Sequence, residues 1–77
     1  MIKDKSIRAD PGKFIVVLED PYNNIFGVLS SLGNVDKEKA MEYAMKRNAE
    51  RRSTLDCVFW VIDDTGKCVN PNHIIYK

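Results

Sequence analysis

Apolar residues fall along this chain in two different periods. Phe14-Ile15-Val16-Val17-Leu18 and Cys57-Val58-Phe59-Trp60-Val61-Ile62 are unbroken apolar runs. They predict strands buried on both faces, because successive strand side chains point to opposite sides and a sheet with one wet face would alternate. Between them, residues 36–52 take helical spacing. Ala40, Met41, Ala44, Met45, Asn48 and Ala49 share one stripe, while Lys37, Glu38, Lys39, Glu42, Lys46, Arg47, Glu50 and Arg51 lie off it. One helix covers one face of a sheet. The second face needs another cover, and the candidates are a second copy of the chain, a partner protein or the chain's own termini.

The remaining punctuation gives an order of elements. Residues 1–12 lack periodicity and end in the turn signal Asp10-Pro11-Gly12, which predicts a flexible N-terminal arm ahead of a single domain over 13–77. A first strand at about Lys13–Glu19 runs into Asp20-Pro21-Tyr22-Asn23-Asn24, a reversal in which Asn tolerates positive φ. The second strand, about Ile25–Ser31, holds Gly27, which marks a bulge or the close approach of another backbone such as the helix. Asp36 is the expected helix N-cap, Glu42 and Lys46 have the favourable i,i+4 order, and Arg51 and Arg52 are expected in the last turn. Ser53 and Thr54 let the chain leave the helix. A third strand at about Leu55–Asp63 and a fourth at about Lys67–Val69 flank a Thr-Gly turn, and His73-Ile74-Ile75-Tyr76 resumes as a short edge piece. The expected fold is α+β: two-layer ββαββ, an antiparallel or mixed sheet of about four strands with one helix on one face.

Composition narrows the class. Seventy-seven residues make one small domain near the lower size limit for folding without staples. A 44% hydrophobic and 30% charged chain is globular, and its net charge of +1 removes the strongly basic balance expected of a nucleic-acid binder. Apolar runs of five and six residues are too short to span a bilayer, and the charged start Met1-Ile2-Lys3-Asp4-Lys5 is followed by no apolar signal segment, so a cytoplasmic protein is expected. Cys57 and Cys68 flank the Asp64-Thr65-Gly66 turn about five positions apart on the ladder, roughly 17 Å, beyond disulfide reach; free thiols are expected.

Candidate chemistry is sparse. Cys57, Cys68 and His73 have no paired metal-ligand spacing, which predicts no metal and no cofactor, and Cys57 in an apolar strand is a poor nucleophile. Glu19-Asp20 and Asp63-Asp64 stand where strands end; converging, they would make an acid/base or cation site, but Asp before Pro or Thr-Gly is first a turn residue. No phosphate-binding or nucleophile-elbow motif is present, which argues against an enzyme. Lys46, Arg47, Arg51 and Arg52 against Glu50 give a local charge of +3. With Lys3, Lys5, Arg8 and Lys13 of the arm they could track a phosphate backbone or meet an acidic protein. Trp60 and Tyr43 are the aromatic candidates for a partner-binding anchor, beside the ordinary reading of Trp60 as core.

Three segments carry a resemblance: Asp10-Pro11-Gly12 leading into the first strand, the Ala- and Met-containing helix Lys39-Ala40-Met41-Glu42-Tyr43-Ala44-Met45, and the closing Asn70-Pro71-Asn72-His73-Ile74-Ile75-Tyr76-Lys77. In this layout the chain resembles small ββαββ and ββαβ proteins of phages and mobile elements, including type I anti-CRISPR inhibitors. The resemblance implies a stoichiometric binder of a host protein or nucleoprotein complex and assigns no functional residue. The expected function is a non-enzymatic protein-binding module, a phage-encoded inhibitor or modulator of a host defence protein, with a homodimer through the uncovered sheet face as a further expectation. Its partner-binding residues would be Trp60, Tyr43, Lys46, Arg47, Arg51 and Arg52. The alternative is a small nucleic-acid-binding domain using the basic helix end and the arm.

Overall fold

The computed structural model describes residues 7–52 and 56–70. Strands β1 (Ile15–Asp20), β2 (Ile25–Val28) and β3 (Val58–Ile62) form one antiparallel sheet in the order β2-β1-β3, and helix α1 (Lys37–Ala49) connects β2 to β3. The architecture is ββαβ in two layers. The fourth strand expected at Lys67–Val69 is a single antiparallel bridge, Ile62↔Cys68, continued by the bond from the Val69 N–H to the Val61 carbonyl at 2.9 Å. At Asn70 the side chain takes over, accepting the Val61 N–H on Oδ1. The expected edge piece His73–Tyr76, the exit residues Ser53 and Thr54 and the start of the third strand at Leu55 lie outside the described residues.

The β1–β2 hairpin pairs Asp20 with Ile25 and closes over Pro21-Tyr22-Asn23-Asn24. The Asp20 carboxylate accepts from the N–H groups of Tyr22 and Asn23 and from the Asn23 side-chain amide, and Asn24 takes φ 56°, a conformation Asn tolerates better than most residues. The helix starts where Asp36 accepts from the Lys39 N–H at 3.0 Å. It ends at Ala49, with the Glu50 N–H turned back to Arg47 and Asn48, so Lys46 and Arg47 occupy the last turn and Arg51 and Arg52 lie beyond it. The buried helix stripe is Ala40, Ala44 and Asn48, flanked by half-buried Met41 and Tyr43. Met45 and Ala49, expected on that stripe, face solvent.

Both sheet faces are covered. Under α1, Val16, Val61, Ala40 and Ala44 form a core with Phe14, Leu29, Leu32, Val35, Tyr43 and Phe59 packed around it. On the opposite face, Ile15, Val17, Val58, Trp60 and Ile62 are buried with Ala9, and Ile7, Phe26 and Cys68 pack against them. The chain's own amino-terminal segment therefore contributes to the cover of the second face. Within the stretch read as an arm, Ala9 is buried, its N–H bonds the Asp63 carbonyl at 3.0 Å, and the Gly12 N–H bonds Asp64 Oδ2 at 2.9 Å.

Candidate protein-binding surface

The two edges of the sheet differ in what they leave unpaired. In β3, Val58, Trp60 and Ile62 direct their backbone groups toward β1, so those of Phe59, Val61 and Asp63 point outward. All of these are satisfied. Asn48, at the end of α1, receives the Phe59 N–H on Oδ1 at 2.8 Å and donates from Nδ2 to the Phe59 carbonyl at 2.9 Å, so one side-chain amide reproduces both bonds of a neighbouring strand. Asn70 receives the Val61 N–H at 2.7 Å, and its amide nitrogen lies 3.2 Å from the Phe59 carbonyl. Val69 donates to the Val61 carbonyl, Asp63 donates to the Lys67 carbonyl at 3.0 Å, and Ala9 covers the Asp63 carbonyl. Both asparagines are buried, at 6% and 4% exposure, where a polar side chain must be hydrogen-bonded to offset its desolvation cost.

Among the described residues the β2 edge has no such cover. The bond from the Leu29 N–H to the Val16 carbonyl at 2.9 Å fixes the ladder phase, so Ile25, Gly27 and Leu29 point their backbone toward β1 while Phe26 and Val28 point theirs away. No hydrogen bond joins those outward groups to any described residue. No Cα of α1 comes within 8 Å of β2, and the side chains there are apolar and wet: Ile25 is 54% and Val28 45% exposed, with Tyr22 at 71% in the adjoining turn. Residues 21–35 contain no charged side chain in a chain that is 30% charged. Gly27 is neither at a bulge nor under the helix: the register runs unbroken through it and an added Cβ would meet nothing within 4 Å.

Of the residues singled out in the sequence, Trp60 lies in the core beneath the amino-terminal segment, 5% exposed, with Nε1–H donating to Glu19 Oε1 at 2.8 Å. Tyr43 is half-buried and packs edge-on to Phe59, ring centroids 6.1 Å apart, with the Arg47 guanidinium 5.3 Å from its ring centre. Lys46, Arg47 and Arg52 are exposed. Arg51 is half-buried, and its Nε is enclosed without a hydrogen-bond partner. The basic residues do not form one surface. Arg8 and Lys13 lie by the Phe14–Ile15 end of β1, where α1 begins, while Lys46 and Arg47 lie toward the other end of α1, roughly 14–15 Å along the helix axis. Lys3 and Lys5 are outside the described residues.

The acidic pairs also stand apart. Glu19 is opposite Val58 at one end of β3, whereas Asp63 follows Ile62 at the other. Asp63 accepts from the Thr65 and Lys67 N–H groups and the Thr65 hydroxyl, so, like Asp20, it is a turn residue. Both cysteines are free. Cys57 precedes β3 rather than lying within it, half-buried beside a surface cleft of about 310 Å³ lined by Asp20, Tyr22, Asn23 and Asp56. Burial pushes the Cys68 thiol above its ordinary 9.0. Among the described residues no group of three or more His, Cys, Asp or Glu side chains could hold a metal ion, and no helix is long and apolar enough to cross a membrane. Comparison with protein-family models, with curated proteins and with solved structures gives no match.

Asn48 and Asn70 are the residues that sequence reasoning missed. Asn48 left one signal, an amide on an otherwise small and apolar helix stripe, where a polar side chain requires a specific partner. Asn70 left none, since Asn before Pro reads first as a turn.

Proposed function

We propose that this chain is a non-enzymatic protein-binding module that engages an extended segment of its target by strand addition at β2. Its role on this reading is that of a phage-encoded inhibitor or modulator of a host defence protein or nucleoprotein complex. The observation that carries the reading is the contrast between the edges: β3 is sealed group by group, while the outward N–H and C=O groups of β2, beside exposed Ile25 and Val28, have no partner among the described residues. Natural sheets usually protect such an edge with charge, proline or a covering element, and an uncovered one is a template for another strand. Strand addition takes affinity from the backbone and specificity from pockets for alternate side chains. A cleft of about 350 Å³ at the hairpin end, lined by Glu19, Asp20, Pro21, Asn24, Ile25 and Phe26, adjoins this edge through its last two residues.

Val28→Pro tests this. Proline removes an N–H that bonds no described residue, and edge strands accept it there. With the protein as bait in host lysate, a target should co-purify in stoichiometric amount, be lost on Val28→Pro and be kept on Arg47→Glu at the helix end. Retention by the proline variant, or no stoichiometric target at all, ends the reading.

A further inference from the structure

We propose that the β2 edge also pairs with β2 of a second copy of this chain, antiparallel about a two-fold axis at Gly27, so that the free protein is a closed dimer with a six-stranded sheet. This rests on the strand-addition reading of the edge and names the strand that occupies it in the absence of a target.

Three observations select a second copy. The first is symmetry. With Gly27 opposite Gly27 of the other copy, the outward-pointing Phe26 and Val28 become the hydrogen-bonded pairs, each Phe26 facing a Val28, and Ile25 faces Leu29. The sequence Ile25-Phe26-Gly27-Val28-Leu29 is apolar on both sides of its centre, so every cross-strand pair on both faces is apolar, as an isologous contact requires. The second is charge. A charged residue near a two-fold axis meets its own like charge, and residues 21–35 carry none. The third is Gly27 itself. A glycine weakens a strand relative to alanine; an added Cβ at Gly27 would meet nothing within 4 Å, whereas at the axis a Gly–Gly pair leaves no side chains to crowd the narrow spacing of about 4.5 Å between non-hydrogen-bonded partners.

The sealed β3 edge explains why assembly stops at two. With one open edge per chain, β2 can meet only another β2, and the head-to-tail contact that would build a filament has no acceptor. Four hydrogen bonds between two four-residue strands make a small interface, so the dimer should be concentration-dependent. Self-pairing and target capture use the same backbone groups, and a target strand must displace the second copy.

Sedimentation velocity across a micromolar concentration series tests the dimer. The wild-type chain should move from 8.8 kDa toward twice that mass, and Val28→Pro should remain at the monomer mass while keeping native circular dichroism. The register has its own test in a Cys57→Ser, Cys68→Ser background. Gly27→Cys fits, since a Cβ there meets nothing, and should oxidise to a disulfide-linked dimer; Val28→Cys should not, because two copies of that position lie roughly 8–9 Å apart. A monomer at every concentration, a dimer indifferent to Val28→Pro, or cross-linking through position 28 as readily as through 27 overturns the proposal. A monomer that still captures a target in a manner sensitive to Val28→Pro removes self-pairing and leaves the strand-addition reading standing. A dimer without such a target supports self-pairing and removes target capture.

Discussion

At the scale of single residues, Asn48 has the largest consequence relative to its size. Its amide supplies both a donor and an acceptor to Phe59, and Asn48→Ala would leave the Phe59 N–H without a protein partner at a half-buried site and the Phe59 carbonyl with only the longer Asn70 bond at 3.2 Å. Leaving such a group unsatisfied costs about 1–3 kcal/mol, so urea unfolding should show a loss of about 2 kcal/mol or more with an unchanged m-value. Asn48→Asp is more informative. The carboxylate still accepts from the Phe59 N–H but faces the Phe59 carbonyl with no proton to donate, so the variant should be destabilised at pH 7 and regain part of that loss relative to wild type under acid, where a protonated carboxyl can donate. Equal destabilisation of Asn48→Asp at both pH values would mean that the Phe59 carbonyl does not need Asn48.

At the scale of elements, the sequence announced the strands, the hairpin and the helix because each has a local cause. Apolar runs end at turn residues, Asp20 and Asn24 shape one reversal, and Asp36 caps the helix. Asp36→Ala removes the acceptor for the Lys39 N–H and should lower stability by about 1 kcal/mol, read as a fall of several degrees in Tm. An unchanged Tm would show that the helix start is held by packing alone. What the sequence did not disclose was non-local. Among the described residues the fourth strand is a single bridge followed by a side-chain bond from Asn70, and the sealing of the β3 edge depends on contacts of Asn48 and Asn70 that no periodicity encodes. The helix boundary moved inward for a related reason: Arg51 and Arg52 follow in sequence, but the chain leaves the helix at Glu50, and the Arg52 N–H bonds Asp56 Oδ2 at 2.6 Å. The candidate binding surface was legible only as surplus apolar strand. In the sequence that surplus points to a sheet face, to whose cover Ile7 and Ala9 contribute, and not to an edge.

At the scale of the whole molecule, acid should weaken the fold through its turns. The Asp20 carboxyl is held below the ordinary 3.8 chiefly by the Asn23 side-chain amide, and the Asp63 carboxyl chiefly by the Thr65 hydroxyl. The unfolded chain then binds more protons than the native one over that interval. The stabilisation is present in full above the ordinary value and is lost as pH falls through the lower native values. Both turns are at the surface, where water screens the effect, so the urea midpoint should drop modestly between pH 7 and pH 3, with Asp63→Ala showing a smaller drop than wild type; a wild-type midpoint that rises with acid would reverse the assignment. The position of Asn48 also bears on the order of events during folding. The hairpin and the helix can form from neighbouring residues, but β1 receives β3 only after a long loop closes, Glu19 meeting Val58 and Ile15 meeting Ile62. A ribosome-bound chain that has emerged only to Arg52 therefore exposes β1 as a second bare strand. Because the side chain that seals Phe59 sits on the docking helix itself, that part of the β3 edge closes as the strand arrives, and Asn70 and Val69 must follow at Val61 before a nascent chain can no longer be captured there by its neighbours.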